Sequence, residues 1–476
     1  MKLSQTLVQE LISKGDDLSP FWNKYCPEIS KRLWLPTEID LPDLDLNYLS
    51  GCSGNLKQEF WYKKSGKKIQ NQNLQKILCQ LSRSSAQDIT EEGSMRTRKI
   101  KIYPTSEQRK YFSKCFSTCR YIYNKCIEYF KENIGKKGIS YKRSKIRKVI
   151  VKTNKTLNDN EQWQSEIPFD TRNYSVIDAL AARKACLTNL NRKNISHFDM
   201  KFKNKHQNTQ LFHVDKDALR PGFKIFVRKL KDSKLNVNKK DRSWLNERII
   251  CGDFSDFVVH KSQLNEYFLC ITTKYDEKNK FSKNVVSLDP GVRTFQTIYT
   301  PNGTYGKLGD ETYKRLKKIY TKEDNFKSKL TKSSGNKKYN LRKRCSKLRT
   351  KVTNIVHNLH YKTASWLCEN FRTIIIPDFK TQNMVKKGKS LNKITKRSLL
   401  SLSHYKFRQR LIHKAKITGS KVIVCQEPYT SKTCGQCGKL NSPNHTINCS
   451  CGYNADRDIN AARNILMRYI ALRVRW

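Results

Sequence analysis

Four cysteines within 18 residues, Cys434, Cys437, Cys449 and Cys451, constrain the local fold of this chain more than any other feature of its sequence. They form a CxxC knuckle followed by a close CxC pair. Zinc accepts thiolate sulfur in a tetrahedral set, and four ligands at such spacing suit a closed structural site. The CxC pair is tighter than the usual second knuckle, which keeps His445 open as a substitute for one sulfur. The chain has 16 cysteines, and the rest stand singly among aromatic and aliphatic residues, the usual setting of a small buried thiol. The first residues, MKLSQTLVQELISKGDD, lack the apolar segment of a signal peptide, so an intracellular, reducing setting is expected. No run approaches the roughly 20 apolar residues that span a bilayer, and no membrane partner is expected.

Lys and Arg number 95 against 41 Asp and Glu, a net charge of +54 in 476 residues. A compositional bias toward lysine would not by itself thin the acidic side, so the excess reads as a surface for a polyanion. Its placement sharpens the reading. Residues 1–94 hold 12 basic and 12 acidic residues, so all of the excess lies in residues 95–476. A neutral extension followed by a basic body points to separate jobs, with the body holding nucleic acid. The length also exceeds one ordinary core and calls for roughly two to four domains.

The extension ends in a polar linker near 82–94, after which RTRKIKIYPT alternates like a strand. A helix follows, with Tyr111, Cys115, Cys119, Ile122, Cys126 and Tyr129 at helical spacing and Ser106 as N-cap. Another helix is expected over 171–191, then strand-like runs such as FKIFVRKL and EYFLCITTKY. KNVVSLDPGVRTFQTIYTPNGTY reads as a strand, a turn carrying Asp289, Pro290 and Gly291, and a returning strand. Long basic helices over 311–331 and 336–370, the buried strand RTIIIPDF, a basic loop, a helix from 400 ended by Gly419 and the strand KVIVCQE complete an α/β multidomain chain.

Two carboxylates stand out. Asp289 ends the apolar run VVSL, where a strand leaves the core and can present a metal ligand. By itself an Asp before Pro-Gly is ordinary turn chemistry. Asp458 lies in DRDINAARNIL directly after the cysteines, at the start of an amphipathic helix, where an acid also suits the helix dipole. The combination is what matters. RKIKIYPTSEQ and RYIYN, SLDPG, HYKTASWL before RTIIIPDF, YTSKTCGQCG and CGYNADRDINAARNI together resemble the TnpB family of transposon-encoded nucleases and their eukaryotic and viral relatives, the Fanzor proteins. The resemblance runs over residues 95–470.

That resemblance implies an RNA-guided DNA endonuclease, with a guide (omega) RNA that pairs with target double-stranded DNA beside a short protein-read motif. After the neutral N-terminal extension (1–94), it implies a split β-barrel wedge domain (95–104 and 205–282) and a helical recognition domain (105–204). The last domain would be a RuvC nuclease domain of RNase H-like fold (283–476), with its zinc ribbon at 431–453. The chain departs from TnpB proper at one point: Pro377 in RTIIIPDF stands where that family carries a catalytic Glu. Fanzor proteins characteristically place the Glu on a later strand just before the zinc clip, and this chain has Glu427 there. The implied catalytic set is Asp289, Glu427 and Asp458, holding two magnesium ions, with Asp378 as the rival third acid. Asp378 follows Pro377 directly, and strand alternation turns it to the opposite face unless the backbone bulges.

Other classes compete. Loss of one carboxylate would leave a guided DNA-binding protein without cleavage. A DDE-type transposase also uses three acids on such a sheet, and a basic ribosome-associated protein with a zinc ribbon would explain the charge but not SLDPG or DRDINAA. KKGISYKRSKIRK at 136–148 could carry a eukaryotic or viral member into the nucleus, although such runs are usually RNA-contacting surface.

Overall fold

The computed structural model describes residues 57–58 and 94–473, apart from short stretches at 135, 137–138, 154–155, 207–208, 232, 276–283, 302, 386–390, 426–428 and 443–444. The chain divides into two compact units, Gly93–Tyr275 and the remainder. A two-residue strand, β1 (Lys57–Gln58), belongs to the remainder.

In the Gly93–Tyr275 unit, β2 (Ser94–Tyr103) leads into α1 (Ser106–Glu132). Thr105, not Ser106, caps this helix: its hydroxyl accepts from the Gln108 amide while the Gln108 side chain accepts from the Thr105 amide. A reciprocal pair satisfies two orphan donors at once, which Ser106 could not do from inside the first turn. Tyr111, Cys115, Cys119, Ile122 and Cys126 are buried along one stripe as their spacing requires, and Tyr129 lies at its edge. Helices α2 (Arg143–Ile150) and α3 (Phe169–Asn191) follow. The remaining elements are β3 (Gln210–Val214), β4 (Leu219–Arg220), β5 (Lys224–Ile225), α4 (Val227–Leu230), β6 (Asn236–Val237), α5 (Lys239–Cys251), β7 (Phe257–Lys261) and β8 (Tyr267–Tyr275). An antiparallel sheet of order β3-β7-β8-β2-β6 results, with β2 and β8 paired from Ser94↔Tyr275 to Ile102↔Tyr267. Of FKIFVRKL only the two residues of β5 form a strand. Phe226 takes a left-handed conformation at φ 51°, and the chain turns there into the one-turn helix α4.

The other unit is built on a mixed sheet of order β1-β11-β10-β9-β12-β13. β9 (Val285–Pro290), β10 (Gln296–Tyr299) and β11 (Thr304–Leu308) form an antiparallel meander. Two helices, α6 (Glu311–Thr331) and α7 (Gly335–Asn370), carry the chain to β12 (Thr373–Pro377), which lies parallel to β9. Helices α8 (Thr381–Met384), α9 (Lys393–Leu402) and α10 (His404–Thr418) then lead to β13 (Lys421–Cys425), parallel to β12. The single helix expected from 400 to 419 is broken at Ser403, whose φ of 48° lies in the left-handed region. The basic segment before it, expected as a loop, is in its later part the helix α9. After the short hairpin of β14 (Thr446–Asn448) and β15 (Asn454–Asp456), the last helix is α11 (Arg457–Arg473). No helix among the described residues is long and apolar enough to cross a membrane.

Both faces of this sheet are covered, which is why β9 and β12 read as continuous apolar runs rather than alternating ones. Val286, Leu288, Ile298, Leu308, Ile374 and Ile376 pack with Leu367 of α7 and Leu411 of α10 on one face. The other face receives α11. There the Ser287 hydroxyl lies 2.7 Å from the Ala462 carbonyl of α11 and 3.1 Å from the Tyr299 carbonyl, all of it buried. Replacing this hydroxyl removes a buried donor between strand and helix, so Ser287→Ala should lower unfolding stability by about 1–2 kcal/mol. Chemical denaturation of the variant, read as a shift in midpoint at unchanged slope, measures it.

Candidate functional site: an acidic face beneath the last helix

Asp289 does not sit in a turn. It is still within β9, paired with Thr297 of β10, and Thr297 is in turn paired with Lys307 of β11. Residues opposed across a ladder share a face, so Asp289, Thr297 and Lys307 form one row across the sheet. Ser287, two residues earlier, shows that this is the face under α11. Lys307 crosses to that helix: its Nζ lies 2.6 Å from Asp456 Oδ2. The other Asp456 oxygen caps the helix, accepting from the amides of Asp458 at 2.9 Å and Ile459 at 3.3 Å. The spacings agree. From Asp458 to Ala462 a helix advances about 6 Å, and from Asp289 back to Ser287 a strand covers about 6.6 Å. Because Lys307 of that row reaches Asp456, the residue before α11, the helix starts over the row that contains Asp289.

The charges in this corner are matched. Burial works against the Lys307 ammonium, but its hydrogen bond to Asp456 and the negative charges of Asp456, Asp458 and Asp310 hold its pKa above the ordinary lysine value. Asp456 is held below the usual carboxylate range; burial opposes this, and the Lys307 hydrogen bond and charge prevail. Asp458 keeps a partly exposed carboxylate, 3.2 Å from the Arg457 guanidinium. Hard oxygen donors of this kind suit a divalent ion such as magnesium.

Pro377 comes to the same face. β12 runs parallel to β9 with Ile375 beside Ser287, so Pro377 lies two residues further along, level with the Asp289 row. A prolyl ring holds no metal. Asp378 is turned the other way: its carboxylate accepts from Arg408 of α10 at 2.5 Å and lies 3.3 Å from Lys380. The Arg408 hydrogen bond holds its carboxyl below the ordinary range. Its amide donates to the Cys425 carbonyl at 2.8 Å, so the parallel ladder continues past Pro377. Cys425 is paired with Pro377 and shares its face. Glu427, two residues on, lies outside the described residues.

The turn after Asp289 is clamped from the opposite side. A side chain at Gly291 would meet the Thr294 carbonyl at 2.7 Å, a close approach that only glycine permits. The Gly291 amide donates to the carbonyl of Phe295, whose ring is stacked between His360 and His404 at 5.2 Å from each. Arg410 donates to His360 Nδ1, which places the His360 proton on Nε2, donating to the Leu402 carbonyl at 2.8 Å. Burial pushes His360 down to about 3 and His404 down to about 4. Both stay neutral in the fold, while an unfolded histidine protonates near pH 6.5. Their stabilising effect is therefore complete above pH 6.5 and is lost as pH falls, by about 1.4 kcal/mol per unit and per group. Thermal unfolding between pH 6.5 and 5 should show this fall, and His404→Phe should reduce the slope.

The four cysteines come together after β13. The sulfurs of Cys434, Cys437, Cys449 and Cys451 all lie within 4.8 Å of one another, with Cys434 and Cys451 3.7 Å apart and Cys437 and Cys449 3.4 Å apart. Four sulfurs around a zinc at 2.3 Å are separated by about 3.8 Å, so the set could hold that ion. His445 is elsewhere, with Nε2 3.3 Å from Arg293 Nη1. What joins this clip to α11 escaped the sequence reading. Asn460 and Asn464 are fully buried and donate to the carbonyls of Thr433 and Thr430 at 2.8 Å. The Gly435 amide donates to Asn460 Oδ1 at 2.9 Å, and a side chain there would meet that atom at 2.8 Å. Arg463 donates to the Tyr453 hydroxyl. The signal was available: Asn460, Arg463 and Asn464 interrupt the apolar pattern at i, i+3 and i+4, one face of the helix. Cys451→Ser should lower zinc content below one per chain and expose the segment before Asp458 to protease, whereas His445→Ala should keep its zinc; elemental analysis decides.

A cavity of about 190 Å³ in the Gly93–Tyr275 unit, lined by Tyr174, Asp178, Lys203 and His213 among others, contains none of these acids.

Three stretches match family models: residues 95–138 a "Helix-turn-helix domain", 268–388 a "Probable transposase" and 404–465 a "Cas12f1-like, TNB domain". The last spans α10, the cysteine clip and Asp458, so fold and site together define a transposase-related class with a TNB-type C-terminal part. A TnpB-like protein of Acanthamoeba polyphaga mimivirus is 30% identical over 388 residues, covering 77% of this chain and 72% of that protein. The chain belongs to the TnpB-like family. An InsQ protein of Escherichia coli (strain K12) that carries the name of an RNA-guided DNA endonuclease is 25% identical over 391 residues, 77% of this chain and 90% of that one. The CRISPR-associated endodeoxyribonuclease Cas12f1 of Sulfoacidibacillus thermotolerans is 25% identical over 240 residues, 46% of this chain and 55% of its own length.

Proposed function

We propose that this protein is an RNA-guided DNA endonuclease of the Fanzor type, cutting through a RuvC-like acidic face. The observation that carries the reading is the Asp289–Thr297–Lys307 row with the Asp458 end of α11 laid against it. An antiparallel meander continued by two parallel strands is the strand order of an RNase H-like sheet, the fold such nucleases use. The Gly93–Tyr275 unit would supply the helical recognition part (105–204) and the wedge part (95–104 and 205–282) as far as Tyr275. The net charge of +54 suits a guide RNA and target duplex DNA held through their backbones, with base pairing supplying sequence. For a viral or eukaryotic member of this type, the nucleus is the proposed compartment.

In this reading Asp289, Glu427 and Asp458 hold two magnesium ions, which when bound would supply activation of water and stabilisation of the leaving oxygen. Asp289, Glu427 and Asp458 would each supply a carboxylate oxygen to that pair. No general-base side chain is needed from the protein. The cysteine clip holds a structural zinc and, through Asn460 and Asn464, fixes the helix that presents Asp458. Asp378 takes no part, because its carboxylate is committed to Arg408 on the far face.

A second reading, guided DNA binding without cleavage, is favoured by Pro377, which sits on the acidic face without a ligand. One experiment separates them. Protein purified with its own RNA, sequenced to define the guide, is given plasmid carrying the matching target and magnesium. Asp289→Ala, Glu427→Gln and Asp458→Ala should each lower cleavage by more than about 100-fold and leave guided DNA binding within about twofold. Asp378→Asn should still cut. Cleavage lost in Asp378→Asn and kept in Glu427→Gln would move the third ligand to Asp378, and absence of cleavage by the wild-type complex would favour the second reading.

A further inference from the structure

Lys307 carries no assigned role, and it is placed where it governs the acidic face. It lies in the same row as Asp289, on the strand two removed from it, and its ammonium reaches one oxygen of Asp456 at 2.6 Å. The other oxygen of the same carboxylate holds the amides of Asp458 and Ile459. Two amides of the first turn of α11 are therefore tied to the sheet through one carboxylate and one lysine. Asp456 cannot point both oxygens usefully without a cation on the sheet side, because a partly buried carboxylate with one unpaired oxygen turns toward water.

We propose that Lys307 is a positioning residue: by fixing Asp456 it sets the N-terminus of α11, and with it the approach of Asp458 to Asp289. The proposal deepens the nuclease reading and rests on it for its effect on cleavage, but not for its effect on the helix. A lysine here also separates like charges. Asp456, Asp458 and Asp310 all act on its ammonium, and without that cation the acids at the start of α11 would repel one another. Arg457 does not replace it, since its guanidinium is with Asp458 itself.

The test uses the full chain with its bound RNA and two readouts. Amide hydrogen exchange at Asp458 and Ile459 reports the helix end; cleavage kinetics report the site. Lys307→Met should speed exchange at those two amides about tenfold and lower kcat about tenfold at unchanged KM for target DNA, the size expected when the support of a ligand is removed. Lys307→Arg, which keeps the charge and reach, should restore both to within about twofold. Adding Asp456→Asn to Lys307→Met should cost no more than the worse single change, because both act through one contact. Unchanged exchange at Asp458 and Ile459 in Lys307→Met, or fully additive effects in the double variant, overturns the proposal. Faster exchange in Lys307→Met together with full cleavage by Asp289→Ala would instead overturn the nuclease site while leaving the positioning contact established.

Discussion

The seating of α11 on β9 is the contact on which the rest of this unit depends. It is made by a buried serine inside an otherwise apolar strand, where the Ser287 hydroxyl reaches the Ala462 carbonyl. The helix then serves three surroundings at once. Ala461, Ala462, Ile465 and Leu466 are buried as an ordinary core helix requires. Asn460 and Asn464 hold the carbonyls of the cysteine clip, and Asp456 and Lys307 hold its first turn. A buried amide costs several kcal/mol unless its bonds are made, so the helix cannot rotate or slide without leaving polar groups stranded. That rigidity fixes the position of Asp458 at the start of the helix.

Electrostatics make the arrangement unusual in a chain of net charge +54. Cations are abundant everywhere, yet Asp456, Asp458 and Asp310 all act on the one ammonium of Lys307, and Arg457 takes Asp458. Asp378 shows the contrast. One residue after Pro377, it is consumed by Arg408 and Lys380 on the opposite face, because successive strand side chains alternate.

Much of this was legible from the sequence. The cysteine spacing pointed to a four-sulfur cluster, the long helices at 311–331 and 335–370 were visible in their periodicity, and the turned-away Asp378 followed from strand alternation. What was not legible came from tertiary context. Pro-Gly after Asp289 is a strong turn signal, yet pairing with β10 keeps Asp289 and Pro290 in the strand, and the turn begins only at Gly291. The helix break at Ser403 has no glycine or proline to announce it. There His360 takes the Leu402 carbonyl, and His404 packs against Phe295. Lys307 read as one lysine among many, because its partner is 149 residues away.

The proposed nuclease site requires Asp289 and Asp458 to bind divalent metal together. Manganese, which substitutes for magnesium in oxygen sites and scatters anomalously, can be located in crystals of the RNA-bound protein. Anomalous peaks in contact with both carboxylates, present in the wild type and lost in Asp289→Ala, are the result this account predicts. Peaks at Asp378, or an unchanged peak at Asp458 when Asp289 is gone, would contradict it.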